Sequence, residues 1–280
     1  MKVLSVADRF DSVAEERVIT ISRVKDASCL HRYFKNYVER PKDEAAFVSI
    51  ETAVGSFFHS CAEDWLKEIA ARGGVIGDDD RMDVAGLLRK FRLSFQWQGR
   101  LREPYRIVRR GAVFDDFVTR LERIAANFNE FVSQRLAGSE VAAVEGALQI
   151  STDEMLIRGR YDLVSRDAGG RLMLWDWKSG RMPKPEYHDD FLNQKVQLGI
   201  YAIWMRYRYG TPDVEGAAVF LRDRPQCLSE TFTPDIERMV LDYLADNRRR
   251  LNRLNQWPPS PGPLCDWCGW KPMCPAFDGD

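Results

Sequence analysis

Asp162, Asp176 and Lys178 are the residues of this sequence whose types and spacing are best suited to chemistry. Asp176 and Lys178 flank Trp177 in an apolar run over 171–177 that reads as a strand. Side chains alternate between the faces of a strand, so a carboxylate and an ammonium project from one surface while Trp175 and Trp177 project from the other. One strand earlier, the same alternation sets Arg158, Arg160 and Asp162 on one face, and the turn through Asp167, Gly169 and Gly170 lays the two strands side by side. Asp162 then approaches Asp176. Two neighbouring carboxylates repel unless a cation lies between them, and oxygen donors suit a hard divalent ion such as Mg²⁺ or Mn²⁺. Such an ion polarises a phosphodiester and acidifies water, while a nearby lysine orients the nucleophile or stabilises developing charge. By itself, Asp-x-Lys reads more simply as an exposed ion pair on a strand; its company has to decide.

The elements that must position these residues follow from periodicity. Apolar residues three or four apart predict helices over 28–37, 52–72, about 80–96 and 112–136. The pattern then changes to short apolar runs over 147–150, 155–164 and 171–177, separated by turn residues, which predicts a three-stranded meander. A helix over 191–208, a strand over 216–221 and a charged amphipathic helix over 234–254 complete the order. The fold class is therefore α/β, a central mixed sheet flanked by helices. Residues 1–280 read as one domain, with a helical insertion over 60–140 and a carboxyl-terminal cysteine segment over 257–280.

Composition sets the outer bounds. With 280 residues and 45% hydrophobic content the chain can bury an ordinary core. A net charge of −1 neither favours nor excludes a nucleic-acid ligand, so phosphate binding would depend on local arginines or a bound cation. No apolar run is long enough for a membrane span and the first residues do not resemble a secretory signal, which predicts a cytoplasmic protein. Six cysteines, three of them at 265, 268 and 274, point in a reducing compartment to a metal rather than to disulfides.

Three further motifs accompany the carboxylates: Gly159-Arg160-Tyr161-Asp162, Asp176-Trp177-Lys178-Ser179-Gly180, and Gln197 with Tyr201 one helical turn later. Upstream stands Gly55-Ser56-Phe57-Phe58-His59. Together these resemble the PD-(D/E)xK nuclease superfamily, and within it the RecB-like exonuclease branch. The resemblance implies a restriction-endonuclease-like core in which His59, Asp162 and Asp176 bind the metal. The carbonyl of Trp177 would complete the protein ligands, and Lys178 would serve the attacking water. Gln197 and Tyr201 would line the DNA path, contacting phosphate or the lysine. Without the resemblance, His59 reads as a core histidine and Tyr201 as ordinary helix packing.

Cys265, Cys268 and Cys274 supply three thiolates, and Cys29 is the best fourth. This one-plus-three arrangement is similar to that of iron-sulfur RecB-like and AddB-like nucleases, which implies a [4Fe-4S] cluster tying the amino-terminal helix to the carboxyl tail. Zinc at the same four thiolates is the alternative. Cys61 and Cys227 read as unpartnered thiols, and His31 and His188 as structural or solvent-facing.

Arginines 100, 102, 106, 109 and 110 with Trp97 and Tyr105 form a stretch able to grip a single strand, or a solvated linker; the run 248–253 poses the same choice. The resemblance implies an exonuclease on single-stranded or frayed DNA ends, in repair, recombination, phage replication or CRISPR spacer acquisition, working alone or with nuclease-complex or CRISPR-adaptation partners. A non-catalytic DNA-binding or assembly subunit, and a zinc-stabilised RNA-processing enzyme, are the competing readings.

Overall fold

The computed structural model describes residues 1–9, 15–39, 47–211 and 214–277. The chain opens with β1 (Val3–Ala7), β2 (Val18–Ile19), α1 (Ile21–Asp26) and α2 (Leu30–Tyr33), which continues into a π-helical turn, Phe34–Glu39. A helical region follows, built from α3 (Ile50–Ala71), α4 (Val84–Phe95) and α5 (Phe114–Arg135). Four two-residue strands link its helices: β3 (Val48–Ser49), β4 (Gln96–Trp97), β5 (Arg100–Leu101) and β6 (Tyr105–Arg106). Then come the long strands β7 (Glu140–Thr152), β8 (Leu156–Arg166) and β9 (Leu172–Lys178), helix α6 (His188–Tyr209), strands β10 (Val214–Phe220) and β11 (Gln226–Phe232), and α7 (Pro234–Asn252).

The helix ends carry the residues their geometry requires. Ser49 accepts from the Thr52 N–H at the start of α3, and Thr233 does the same for Ile236 ahead of Pro234 in α7. Asp115 and Asp116 stand in the first turn of α5 and Arg135 in its last, both signs favourable to the helix dipole. α6 stops at Gly210, whose φ of 66° is left-handed.

The strands form one mixed sheet in the order β1-β7-β8-β9-β10-β11, with β2 added parallel to β8. Neighbours on that path are antiparallel except β9 and β10, which are parallel because α6 carries the chain back across the sheet between them. Alternation on β9 and β10 separates two cores. Leu174, Ala218 and Phe220 face α6 and α7, whereas Trp175, Trp177, Ala217 and Val219 face α3, α4 and α5. An α/β protein with a central mixed sheet between two helical layers is the result.

The expected meander and the six main helices are present, most ends shifted by a few residues, but the first meander strand, expected over 147–150, runs Glu140–Thr152. Unforeseen are α1, β1, β2 and the edge strand β11, whose polar alternation leaves only Phe232 buried. The side chain of His188 lies outside those described. One irregularity interrupts the strand faces. Ile157 and Tyr161 pack in the core under α6, but Leu163 packs with Trp175 in the opposite core. Residues two apart normally share a face, so alternation breaks between Tyr161 and Leu163, at the level of Asp162. β7 breaks at the same level. Glu145, which lies opposite Asp162 between the pairs Val144 with Leu163 and Gly146 with Tyr161, has φ of 36°. Gly146 is needed there, since any Cβ would collide with the Tyr161 ring.

Candidate active site

β9 ends the antiparallel ladder with β8 at the pair Leu163 and Trp175, so Asp162 and Asp176 lie just beyond the last paired residues, where the strands part. Asp162 uses this gap. Its Oδ2 accepts from the main-chain N–H of Trp177 at 2.6 Å, and its Oδ1 lies 3.0 Å from His59 Nδ1. The first contact fixes the carboxylate to the backbone of the strand that carries Asp176 and Lys178. The second ties it to α3.

His59 reaches this point because α3 approaches the end of β9 closely. A Cβ at Gly55, one turn before His59, would lie 2.8 Å from Ser179 Oγ, just past Lys178. Burial opposes a charge on His59, but the hydrogen bond to Asp162 and the negative fields of Asp162 and Asp176 win and raise its pKa above the ordinary value.

Asp176 is 5% exposed, and three side chains contact its carboxylate. Its Oδ1 accepts from Gln197 Nε2 at 3.2 Å and faces the Tyr201 hydroxyl at 2.8 Å. The same hydroxyl lies 2.7 Å from the Arg160 carbonyl; its single proton serves one of these acceptors at a time. Asp176 Oδ2 is sealed from water and makes no hydrogen bond of normal geometry, yet Lys178 Nζ lies 2.5 Å from it. We treat this as an ion pair, because opposite charges at that distance in a dry setting attract whatever their angle. Lys178 Nζ also donates to Gln197 Oε1 at 3.1 Å. Burial and the two aspartates hold the Tyr201 hydroxyl far above its usual pKa, so it stays protonated.

Six expected site residues, His59, Asp162, Asp176, Lys178, Gln197 and Tyr201, are thus joined in one network drawn from α3, β8, β9 and α6. Trp177 takes part through its main chain, while its indole packs against Phe128 and Phe131 on the opposite face. Gln197 and Tyr201 turn inward to Asp176 and Lys178; Tyr201 is only 2% exposed. Cavities flank the network on both sides. One is lined by His59, Lys178, Ser179, Arg181 and Gln194, and the other by Arg23, Tyr37, Arg158, Gln197 and Ile200 among others.

In chemical type the donors suit a hard divalent cation: an imidazole and two carboxylates, one of them with a buried oxygen whose only compensation is an ammonium. Among the described residues no group of three or more His, Cys, Asp and Glu side chains is placed to hold a metal ion. Magnesium retains several waters and is content with one or two carboxylates, so an open set suits it.

Cys29, Cys265, Cys268 and Cys274 come together around a second cavity with His31, Arg32 and Trp270. Tyr33 stacks on Trp257 and Trp270 Nε1 donates to Asn36, so the two chain ends pack against one another there. None of the four forms a disulfide. Cys61 lies half-buried on α3 and Cys227 is exposed on β11, apart from that group.

The arginine stretches separate. Arg102 stacks on Trp97 and Arg106 on Phe47 within the small strands, and Arg249 on α7 is held by Glu154 and Asp246. Glu145, Arg181, Arg120 and Arg222 all lie around the site without having stood out in the sequence. Only the Gly55 motif carried a readable signal for the close approach of α3.

An α/β fold gathering two carboxylates, a lysine and a histidine where its central strands part defines the structural class. The family model of the PD-(D/E)XK nuclease superfamily matches residues 19–275, and the chain belongs to that superfamily. Among solved structures, it is similar to a candidate exonuclease from Eubacterium rectale, with 13% identity over 85% of this chain and 81% of that one and a TM-score of 0.46. It is also similar to the protein SSO0001, with 16% identity over 92% and 97% of the two chains and a TM-score of 0.34. Both likenesses are too distant to bear on function. No curated protein matches the sequence. No helix among the described residues is long and apolar enough to cross a membrane.

Proposed function

We propose that this protein is a metal-dependent deoxyribonuclease of the RecB-like branch, acting as an exonuclease on single-stranded or frayed DNA ends. The observation that carries the reading is the pair of contacts that Lys178 makes. Its ammonium meets both Asp176 Oδ2 and Gln197 Oε1 beside the linked His59 and Asp162, which is an arrangement for holding charge and orienting water rather than a surface ion pair.

His59, Asp162 and Asp176 would hold Mg²⁺ or Mn²⁺, with the Trp177 carbonyl as a further ligand. The ion supplies Lewis acidity to the phosphodiester and acidifies water at neutral pH. Lys178 orients the attacking water and offers positive charge to the phosphoryl oxygens, and Gln197 fixes the lysine. Tyr201 and the Trp177 N–H keep the two carboxylates in place. The pathway fits repair, recombination, phage replication or CRISPR spacer acquisition.

The four cysteines would hold a [4Fe-4S] cluster; the thiol chemistry and their shared cavity suit iron-sulfur and also zinc. Its function would be to tie the segment around Cys29 to the carboxyl tail over 257–280. Residues 60–140 would act as a helical insertion within a single nuclease domain.

End-labelled single-stranded, duplex and RNA substrates, incubated with Mg²⁺, Mn²⁺ or EDTA, test the reading. Metal-dependent release of nucleotides from DNA ends is expected, and its loss in Asp176→Ala. Binding without cleavage by the parent, unaltered in Asp176→Ala, would instead mark a non-catalytic subunit. The absorption spectrum of anaerobically purified protein distinguishes the clusters: a colourless, zinc-loaded protein would exclude iron-sulfur, and Cys268→Ala should lose the metal and the packing of both chain ends.

A further inference from the structure

Arg109, Arg120, Arg123, Arg181 and Arg222 are scattered in sequence, yet the fold brings them to one side of the candidate site. The main chain around Leu221 shows how. Its N–H donates to the Lys178 carbonyl at 2.8 Å and its carbonyl accepts from Asn127 of α5 at 2.7 Å. Arg222, the next residue, is therefore fixed between the end of β9 and α5. Arg123 and Arg120 stand one and two turns before Asn127 and so share its side of the helix. The Arg109 N–H donates to Glu51 in the first turn of α3, one turn before Gly55. Arg181 lines the cavity that also contains His59 and Lys178.

The carboxylates nearby do not neutralise this group. Asp223 is paired with Arg181 at 2.6 Å, Asp116 accepts the Val113 N–H at the start of α5, and Glu51 takes the Arg109 main chain. Among the described residues, Arg109, Arg120, Arg123 and Arg222 form no salt bridge. Burial, with the like charge of Arg222 and Arg109, lowers the pKa of Arg120; burial, with Arg181 and Arg109, lowers that of Arg222. Cations held together in a partly dry setting cost free energy until an anion lies on them, and this concentration occurs in a chain whose net charge is −1. Their spread over several segments suits an extended polyanion better than a single phosphate.

We propose that these five arginines form a track for the phosphodiester backbone of a nucleic-acid strand entering or leaving the cavity that holds His59 and Lys178. The helical insertion and the catalytic core then grip one substrate jointly. This inference rests on the nuclease reading for its ligand class but is measured without cleavage.

The test is equilibrium binding of labelled single strand and duplex in EDTA across a salt series, comparing the parent with Arg120→Gln/Arg222→Gln. Each lost phosphate contact lowers the slope of log affinity against log salt by about 0.7 on a single strand and about 0.9 on a duplex. The double variant should lose roughly tenfold or more in affinity and about two contacts' worth of slope. Arg238→Gln, on α7 across the sheet, should change neither. Should the half-buried pair prove necessary for folding by circular dichroism, the exposed pair Arg109→Gln/Arg123→Gln carries the same expectation. Parent-like affinity and slope in a folded double variant would overturn the track, as would failure of the parent to bind any strand. Intact binding with no cleavage under any metal would overturn the nuclease reading and leave the track standing.

Discussion

Gly55 and Ser179 meet so closely that a Cβ on the glycine would lie 2.8 Å from the serine Oγ, so the bare glycine lets α3 lie against the end of β9. His59 stands one turn further along α3 and meets Asp162 at 3.0 Å only because of that approach. Gly55→Ala should therefore displace the 179 loop or the helix and lower metal-dependent cleavage by on the order of tenfold to a hundredfold, since misplacement of about 1 Å has that effect. Removing the serine hydroxyl should relieve it, because the remaining Ser179 Cβ would lie at an ordinary 3.7 Å. The measurement is a double-mutant cycle on cleavage rate. Equal losses in Gly55→Ala and Gly55→Ala/Ser179→Ala would show that the contact does not set the approach. Melting temperature should not fall in the double variant, because alanine favours helix over glycine by about 1 kcal/mol.

Lys178 compensates a carboxylate oxygen that has no other compensation. Lys178→Ala should reduce cleavage by about 10²- to 10³-fold, the usual cost of removing a preorganised charge-stabilising group. It should also lower the melting temperature in EDTA, because Asp176 Oδ2 is then left buried without a partner. Added Mg²⁺ should then raise the melting temperature of the variant by more than it raises that of the parent, as a ligand that binds only the folded state does in proportion to its affinity. An identical Mg²⁺ response in both proteins would separate Asp176 from the metal.

Much of this site was legible because strands and helices have fixed periods. Asp176 and Lys178 share a face by alternation, and Gln197 and Tyr201 share one by the helical turn, so their meeting needed only that α6 lie over β9. What was illegible depends on departures from period. The break in alternation between Tyr161 and Leu163 goes with Glu145 in a left-handed conformation opposite Asp162 and with Tyr161 lying over Gly146, and no alternation rule anticipates it. Arg120, Arg181 and Arg222 were hidden for another reason: they sit in separate elements with no local cluster, and only the anchoring of Leu221 to Lys178 and Asn127 unites them. β11 went unseen because an edge strand with polar alternation lacks an apolar run.

Gly146 makes a packing prediction independent of catalysis. A methyl group there would overlap the Tyr161 ring, which is fixed by contact with Trp204 at 4.9 Å between centroids. Gly146→Ala should destabilise the protein by roughly 1–3 kcal/mol, the usual cost of overpacking a core. Combining it with Tyr161→Leu, which removes the colliding ring atoms, should give a loss smaller than the sum of the two single losses. Denaturant midpoints check this; strict additivity would show that Gly146 is required for its backbone and not for the ring.

Tyr161 also links this packing to pH. Burial above all, then the negative charges that Tyr209 and Asp8 can carry, push its hydroxyl up to about 12, whereas an unfolded tyrosine titrates near 10. Between those values the unfolded chain has released the proton that the folded chain retains, so the unfolded state binds fewer protons and stability falls as pH rises. The window runs from about pH 10 to about pH 12, and below it the hydroxyl contributes no pH dependence. Tyr161→Phe cannot ionise. Its unfolding free energy should therefore decline less steeply than that of the parent over this window and run parallel to it at pH 7–9, the difference isolating Tyr161 from the other buried tyrosines. Parallel curves throughout would mean that the hydroxyl reaches water in the folded protein, and that the Tyr161 ring does not seal the break beside Asp162.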